Sequence, residues 1–343
     1  MSSCFKPWGN IDWMLGKMPH IPKWGYLGCV SPEDRSTITL EWLAAHDLLG
    51  ACEMWKIDDE PRFFSPYEKR NREKYDQQIE KCASLGKAAE ISLPEFKLFD
   101  SDRVASDKFK LFVERTDGNI MFDISSMPKR WFFPIVRECL QNEGIRNLVI
   151  TYTVAKTYSS IQGEDPIGWR HIPSFGETAE CTEKEKYYII SAGFQPLSLP
   201  DWIEGFPDAE LYIIFPFPSD VNGYHRVWDF IRAIETDGGK IDSRYIEYVS
   251  GHNLPLIYNS VSKLIAREKD KQPVFVPYGP KPISLAFSLL ASQLQIPVGY
   301  TQPTYYNPDY SIGVDICFNG EPRIITYLIK QDGKILYTFS AMD

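Results

Sequence analysis

Two short segments of the chain carry the residues best suited to holding an anion. Ser125-Ser126-Met127-Pro128-Lys129 and Pro277-Tyr278-Gly279-Pro280-Lys281 each leave an apolar run and open a helical pattern. The N-terminus of a helix offers free N–H groups and a partial positive charge, which suits phosphate. Proline there fixes φ where its missing donor costs nothing. Ser125 and Ser126 can donate hydrogen bonds, Gly279 lets backbone approach a ligand closely, and Lys129 and Lys281 add point charges. Each segment alone also fits an ordinary loop with capping residues and a solvated lysine. Their recurrence in matching places favours a ligand.

Further candidates sit in other loops. Pro32-Glu33-Asp34-Arg35-Ser36 follows a strand-like run; Glu33 and Arg35 could hold a ligand, or Asp34 or Ser36 could cap the next helix. The corresponding Gln195-Pro196-Leu197-Ser198 lacks the charges. Tyr152, Tyr158, Tyr300, Tyr305, Tyr306 and Tyr310 cluster after the last strand of each half. Tyrosine stacks and hydrogen-bonds, as a nucleobase site requires, and it equally serves aromatic packing. Tyr278, Tyr152, Tyr158, Tyr300 and Tyr310 therefore join the expected ligand-binding set.

Catalytic signatures are missing. His20, His46, His171, His225 and His252 have no metal-ligand spacing, and the seven cysteines form no C-x-x-C pair, so no metal site is expected. The sequence has no phosphate-binding Walker lysine loop, no G-x-G-x-x-G fingerprint and no G-x-S-x-G elbow. Asp58 and Asp59 follow a strand, as paired surface acids commonly do. A binding site is more legible than a reaction.

The elements that must position these loops come twice. His20-Ile-Pro-Lys-Trp-Gly25 is echoed by His171-Ile-Pro-Ser-Phe-Gly176, roughly 150 residues on. Lys129 and Lys281, the strand ends Ile150–Thr153 and Val298–Thr301, and Thr157-Tyr158-Ser159 and Asp309-Tyr310-Ser311 recur in the same order at nearly the same offset. In the first half, strands are expected at 24–31, 52–57, 89–93, 119–124 and 147–153. Helices are expected at 37–46, 66–85, 103–115 and 130–141. In the second half, strands are expected at 187–193, 211–217, 245–250, 274–277 and 298–301, with helices near 199–204, 224–235, 254–268 and 282–294. Short strands alternating with helical patterns signify parallel sheets with crossover helices. The fold expected is α/β, with two tandem duplicated Rossmann-like units spanning 1–160 and 161–343. A C-terminal β-meander around Gln331-Asp332-Gly333 is placed at the edge of the second sheet.

The strand, small turn, lysine and Ala/Leu/Ser-rich helix from Phe275 to Leu294 resemble the ligand loop of CARF-type Rossmannoid domains. Two such units in one chain resemble the SAVED arrangement. The resemblance implies recognition of a nucleotide second messenger in a prokaryotic antiviral defence or signalling system, with a protein partner acting as effector. The Thr-Gly-Gly-Thr-Lys run of those domains is replaced by Met-Pro-Lys and Gly-Pro-Lys, which leaves the ligand type open.

Composition narrows the classes. The chain has 343 residues, a net charge of −9 and no Lys/Arg stripe, so duplex nucleic acid is not the expected partner. No apolar run approaches the roughly 18 residues of a membrane span, and the N-terminus lacks a signal-peptide core. Seven scattered cysteines, an odd number, are read as free thiols in a reducing cytoplasm. The leading expectation is a subunit that recognises a nucleotide or other phosphorylated small molecule. An enzyme acting on a nucleotide or phosphosugar through Glu33 or Asp123, or a structural scaffold subunit, are the alternatives.

Overall fold

A computed structural model describes residues 5–18, 22–57, 68–86, 90–160, 163–178, 184–205, 209–217, 221–235, 241 and 243–340. His20, Asp58 and Asp59 lie outside the described residues, as do Cys4 and Cys181 and the side chain of Tyr305. The chain divides into two compact units. The first comprises Met1–Asp165 and Thr304–Leu336, the second Pro166–Pro303 and Tyr337–Asp343.

The first unit is a mainly parallel sheet with crossover helices. In chain order its parallel strands are Trp24–Val30, Leu49–Ile57, the short pair Ile91–Ser92 and Glu95–Phe96, Asn119–Asp123, and Asn147–Thr153. Both short strands pair with Leu49–Ile57, and the spatial order is 3-2-1-4-5. The helices Ile38–Ala45, Glu68–Leu85, Asp102–Glu114 and Lys129–Gln141 make the crossovers. Trp24–Val30 is buried along its whole length, as a central strand covered on both faces must be.

The second unit repeats this order. Lys186–Ser191, Glu210–Pro216, Ile246–Val249 and Gln272–Pro277 are parallel, and Val298 adds a fifth parallel bridge to Phe275. The order is again 3-2-1-4-5. Helices Leu199–Glu204, Val221–Ile234, Leu254–Arg267 and Lys281–Leu294 follow the first four strands. In both units the lysine opens the helix after the fourth strand.

The C-terminal strands correct the expected domain assignment. Ile324–Gln331 pairs antiparallel with Asn147–Thr153, so it extends the first sheet and not the second. Trp8–Asn10 then pairs on its far side. Seven of the eight residues of Ile324–Gln331 are buried. Added there, this strand covers the fifth strand of the first sheet, which would otherwise be an open edge. The hairpin itself forms as expected: Gln331 pairs with Lys334 across Asp332 and Gly333, at φ +47 and +79. Positive φ at both central residues is what a two-residue turn of matching twist requires.

Candidate functional site

The first unit gathers four of the expected residues, Glu33, Tyr152, Tyr158 and Tyr310, around the buried guanidinium of a fifth, Arg35. Arg35 sits in the turn after the first strand, 2% exposed. Its Nε and Nη2 both lie 2.8 Å from Glu33 Oε2. Its Nη1 donates to the Tyr152 hydroxyl at 3.2 Å and to the Thr153 carbonyl at 3.3 Å. The guanidinium also lies over the Tyr152 and Tyr158 rings, 5.4 and 5.8 Å from their centroids. Tyr152 and Tyr158 share a hydrogen bond of 2.9 Å, and Tyr310 packs edge-on to Tyr158. Ser311 donates to Glu33 Oε2 at 2.5 Å, and the Gly313 N–H donates to Asp34 at 3.2 Å. Burial alone would push the Arg35 guanidinium down; Glu33, with Tyr158, Tyr152 and Tyr310, holds it well above its ordinary value.

The charges of this cluster are used within it. A buried pair whose donors meet protein acceptors in this way ties its loop to the strands it touches. Here it fixes the Asp34–Ser36 turn to the antiparallel pair Ala155–Tyr158 and Ser311–Val314. Asp34 and Ser36 do not cap the next helix, since Thr37 occupies that position without a side-chain cap bond.

Ser125 and Ser126 are likewise engaged by the fold. Ser125 Oγ accepts the Thr153 N–H at 2.7 Å, and Ser126 donates to the Cys29 carbonyl at 2.6 Å. Asp123 Oδ1 accepts the Ser125 N–H at 2.6 Å. Asp123 is buried; burial raises its pKa, against lowering by hydrogen bonds from Ser125, Thr39 and Thr151. Lys129, expected to bind a ligand, is 9% exposed, so this lysine is part of the packed unit. The two carboxylates considered for chemistry are therefore a buried Asp123 and a Glu33 held by Arg35 and Ser311.

In the second unit the equivalent rim is built differently. The loops after the first and fourth strands close tightly on each other. The Gly279 N–H donates to Ser191 Oγ at 2.9 Å. A Cβ at Gly279 would stand 2.7 Å from the Ala192 carbonyl oxygen, and one at Gly193 would stand 2.3 Å from the Tyr278 carbonyl oxygen. Both positions thus require glycine. Lys281, half-buried, is the first residue of the 14-residue helix Lys281–Leu294 that follows this packed loop. Tyr278 is buried and packs against Tyr300, with centroids 5.2 Å apart. Burial pushes the Tyr278 hydroxyl up. Ser198 and Thr301 hydroxyls meet at 3.2 Å.

Two groups at this rim were not legible in the sequence. Arg226, in the second turn of Val221–Ile234, lies 4.2 Å from the Phe194 ring centroid, on the loop after the first strand. Gly251, after the third strand, would place a Cβ 3.6 Å from Pro216 and 3.8 Å from Pro280. One signal could have pointed here. The loop segments 192–198, 250–253, 277–281 and 301–303 contain no Asp or Glu, although the chain has 46 acidic residues.

Among the described residues, no group of three or more His, Cys, Asp or Glu side chains could hold a metal ion. Cys29, Cys52, Cys82, Cys139 and Cys317 are free thiols. No helix among the described residues is long and apolar enough to cross a membrane.

No family model matches the sequence, and no curated protein matches it. Among solved structures, the chain is similar to a universal stress protein from Archaeoglobus fulgidus DSM 4304. The identity is 12% and the TM-score 0.24, with 83% of this chain and 98% of that chain covered. The α/β assignment rests on the strand order and crossover helices of this chain itself.

Proposed function

We propose that the chain recognises a nucleotide or another phosphorylated small molecule at the strand-end rim of its second unit. It then passes the bound state to a protein partner, as a subunit of a prokaryotic antiviral defence or signalling system. The observation that carries this reading is the charge of the rim. Its loop segments 192–198, 250–253, 277–281 and 301–303 hold no carboxylate, with Asp201 and Asp220 in the flanking sequence; Lys281 lies in one of these segments and Arg226 over Phe194 of another. In an open α/β sheet, ligands bind outside the carboxyl ends of the strands, where the strand order reverses. Here that point lies between Lys186–Ser191 and Gln272–Pro277. The helix opened by Lys281 directs its N-terminal N–H groups toward the same end. The first unit is the structural counterpart, its charges spent on Glu33, Arg35 and their tyrosines.

The test is a thermal-shift screen against nucleotides, cyclic oligonucleotides and inorganic polyphosphate, followed by calorimetric titration of the strongest binder. A ligand that binds the folded state raises its apparent stability. Lys281→Ala is expected to weaken binding by about 1–3 kcal/mol, the range for a charge-assisted contact, with little change in melting temperature. Unchanged affinity would remove the lysine loop from the site.

A further inference from the structure

The same rim carries an aromatic platform. Phe217 follows the strand Glu210–Pro216, and Tyr248 lies in the neighbouring strand Ile246–Val249; they are 48% and 50% exposed. Their rings stand 6.0 Å apart at 83°. Buried Phe215 supports them, 5.1 Å from Tyr248 and 5.3 Å from Trp228. Tyr224 touches both Phe215 and Phe217. The backbone holds the two residues in place, since Phe215 is the cross-strand partner of Tyr248 and the Phe217 N–H donates to the Val249 carbonyl at 2.6 Å.

We infer that Phe217 and Tyr248 receive the base of the nucleotide whose phosphate lies at the Lys281 loop. This inference rests on the reading proposed above. Its geometric support is at Gly251, where an added Cβ would stand 3.6 Å from Pro216 and 3.8 Å from Pro280. The residues that follow those two prolines are Phe217 and Lys281. Phe217 and Lys281 therefore each follow a proline that lies close to the same glycine. The sheet gives the same scale: one strand separates Glu210–Pro216 from Gln272–Pro277, so their ends lie two strand spacings, about 10 Å, apart. A nucleoside carrying phosphates spans such a gap. Along the rim the order is Tyr248, Phe217, then Arg226 stacked on Phe194, then Lys281, which passes from aromatic to cationic as a nucleotide passes from base to phosphate.

The platform is too small for a stable protein interface, which needs about 800 Å² on each partner. Two exposed rings at strand ends in the same sheet as the Lys281 loop instead match a flat π-surface bearing an anion. Base–aromatic stacking tolerates different bases, because every base has a π-face. The site is therefore expected to select for a nucleotide over a bare phosphate ester more strongly than for one base over another.

The experiment is calorimetric titration of the full chain with ATP, UTP and inorganic tripolyphosphate. The variants are Phe217→Ser, Tyr248→Ser and Lys281→Ala, each checked for an unchanged melting temperature. Both nucleotides are expected to bind at least tenfold more tightly than tripolyphosphate. Tyr248→Ser and Phe217→Ser are each expected to reduce nucleotide affinity about tenfold and leave tripolyphosphate unchanged, as loss of one stacking partner implies. Lys281→Ala should weaken all three. Equal binding of nucleotide and tripolyphosphate, insensitive to both aromatic variants, overturns the platform and leaves the phosphate site standing. No binding of any probe overturns both. Self-association that both aromatic variants abolish, without probe binding, assigns the patch to a second copy of the chain and also overturns the inference. If Phe217→Ser unfolds the unit, Tyr248→Ser on the edge strand decides the matter alone.

Discussion

Replacing Arg35 by Met separates the structural role of the first unit's charge cluster from a ligand-binding one. Methionine keeps the apolar stem and deletes the charge. The variant leaves Glu33, whose side chain is 12% exposed, with the Ser311 hydroxyl on the Oε2 that Arg35 held. Removing one partner of a buried ion pair costs about 3–5 kcal/mol, because the other charge stays behind. The retained Ser311 bond offsets about 1 kcal/mol of this, and the lost donor to the Thr153 carbonyl adds about as much back. A net loss of about 3–5 kcal/mol follows, a large share of the roughly 5–15 kcal/mol that holds a domain folded. The assay is urea unfolding followed by tryptophan fluorescence. Hydrogen exchange at the Tyr152 and Thr153 amides assigns the loss to the first unit. Adding Glu33→Gln to the variant removes the stranded charge and should recover at least 1 kcal/mol. A loss below about 1 kcal/mol in Arg35→Met would refute the reasoning. Loss of nucleotide binding with stability intact would return Arg35 to the ligand site.

Three further outcomes follow from the same geometry. Lys129→Ala should destabilise the first unit by about 1–2 kcal/mol in the same urea assay, because the side chain is buried and its packing is lost with its charge. Gly279→Ala should lower the melting temperature of the second unit and loosen the Lys281 loop, since the new Cβ meets the Ala192 carbonyl oxygen at 2.7 Å; an unchanged melting curve would mean the loops are not closed as described. Asp123 supplies a pH dependence. Burial holds its proton more tightly in the folded chain than in the unfolded one. Its contribution is thus full below the ordinary carboxylate range and is lost as pH rises through the folded value. Asp123→Asn cannot ionise, so its urea midpoint should gain on wild type between about pH 4 and pH 7. A constant gap would show that Asp123 does not titrate there.

The sequence made the architecture legible because strand and helix periods are local. Asn147–Thr153 and Leu199–Glu204 appear at the expected bounds, and the two lysines open equivalent helices. What it concealed was non-local. Nothing in the alternating pattern of Ile324–Gln331 says which sheet edge it covers; that depends on the edge left open by Asn147–Thr153. The Trp8–Asn10 strand is too short to show a period, and it exists because the C-terminal strand offers it a partner. The tyrosines after the last strands could equally stack on a base or pack together. Only the structure shows that the Tyr152 ring lies against the buried Arg35 guanidinium. Arg226 is chemically indistinguishable in sequence from the other basic residues, and only its seat on the Phe194 ring marks it.

The two rims show how one strand order supports different electrostatics. In the first unit an acid and an arginine lie two residues apart in the strand-one loop, and they pair with each other at 2.8 Å. In the second unit the same loop reads Gln195-Pro196-Leu197-Ser198, so the nearby cations face no opposing carboxylate from it. The chain's net charge of −9 does not cancel this local difference. At physiological ionic strength exposed charges are screened beyond about 8 Å, so distant carboxylates on the surface act weakly on an anion at the rim. Groups within a few ångströms dominate, and where they are partly buried their interaction is stronger than in bulk water. An acidic protein can therefore present an anion site where its loops exclude Asp and Glu, as the 192–198, 250–253, 277–281 and 301–303 segments do.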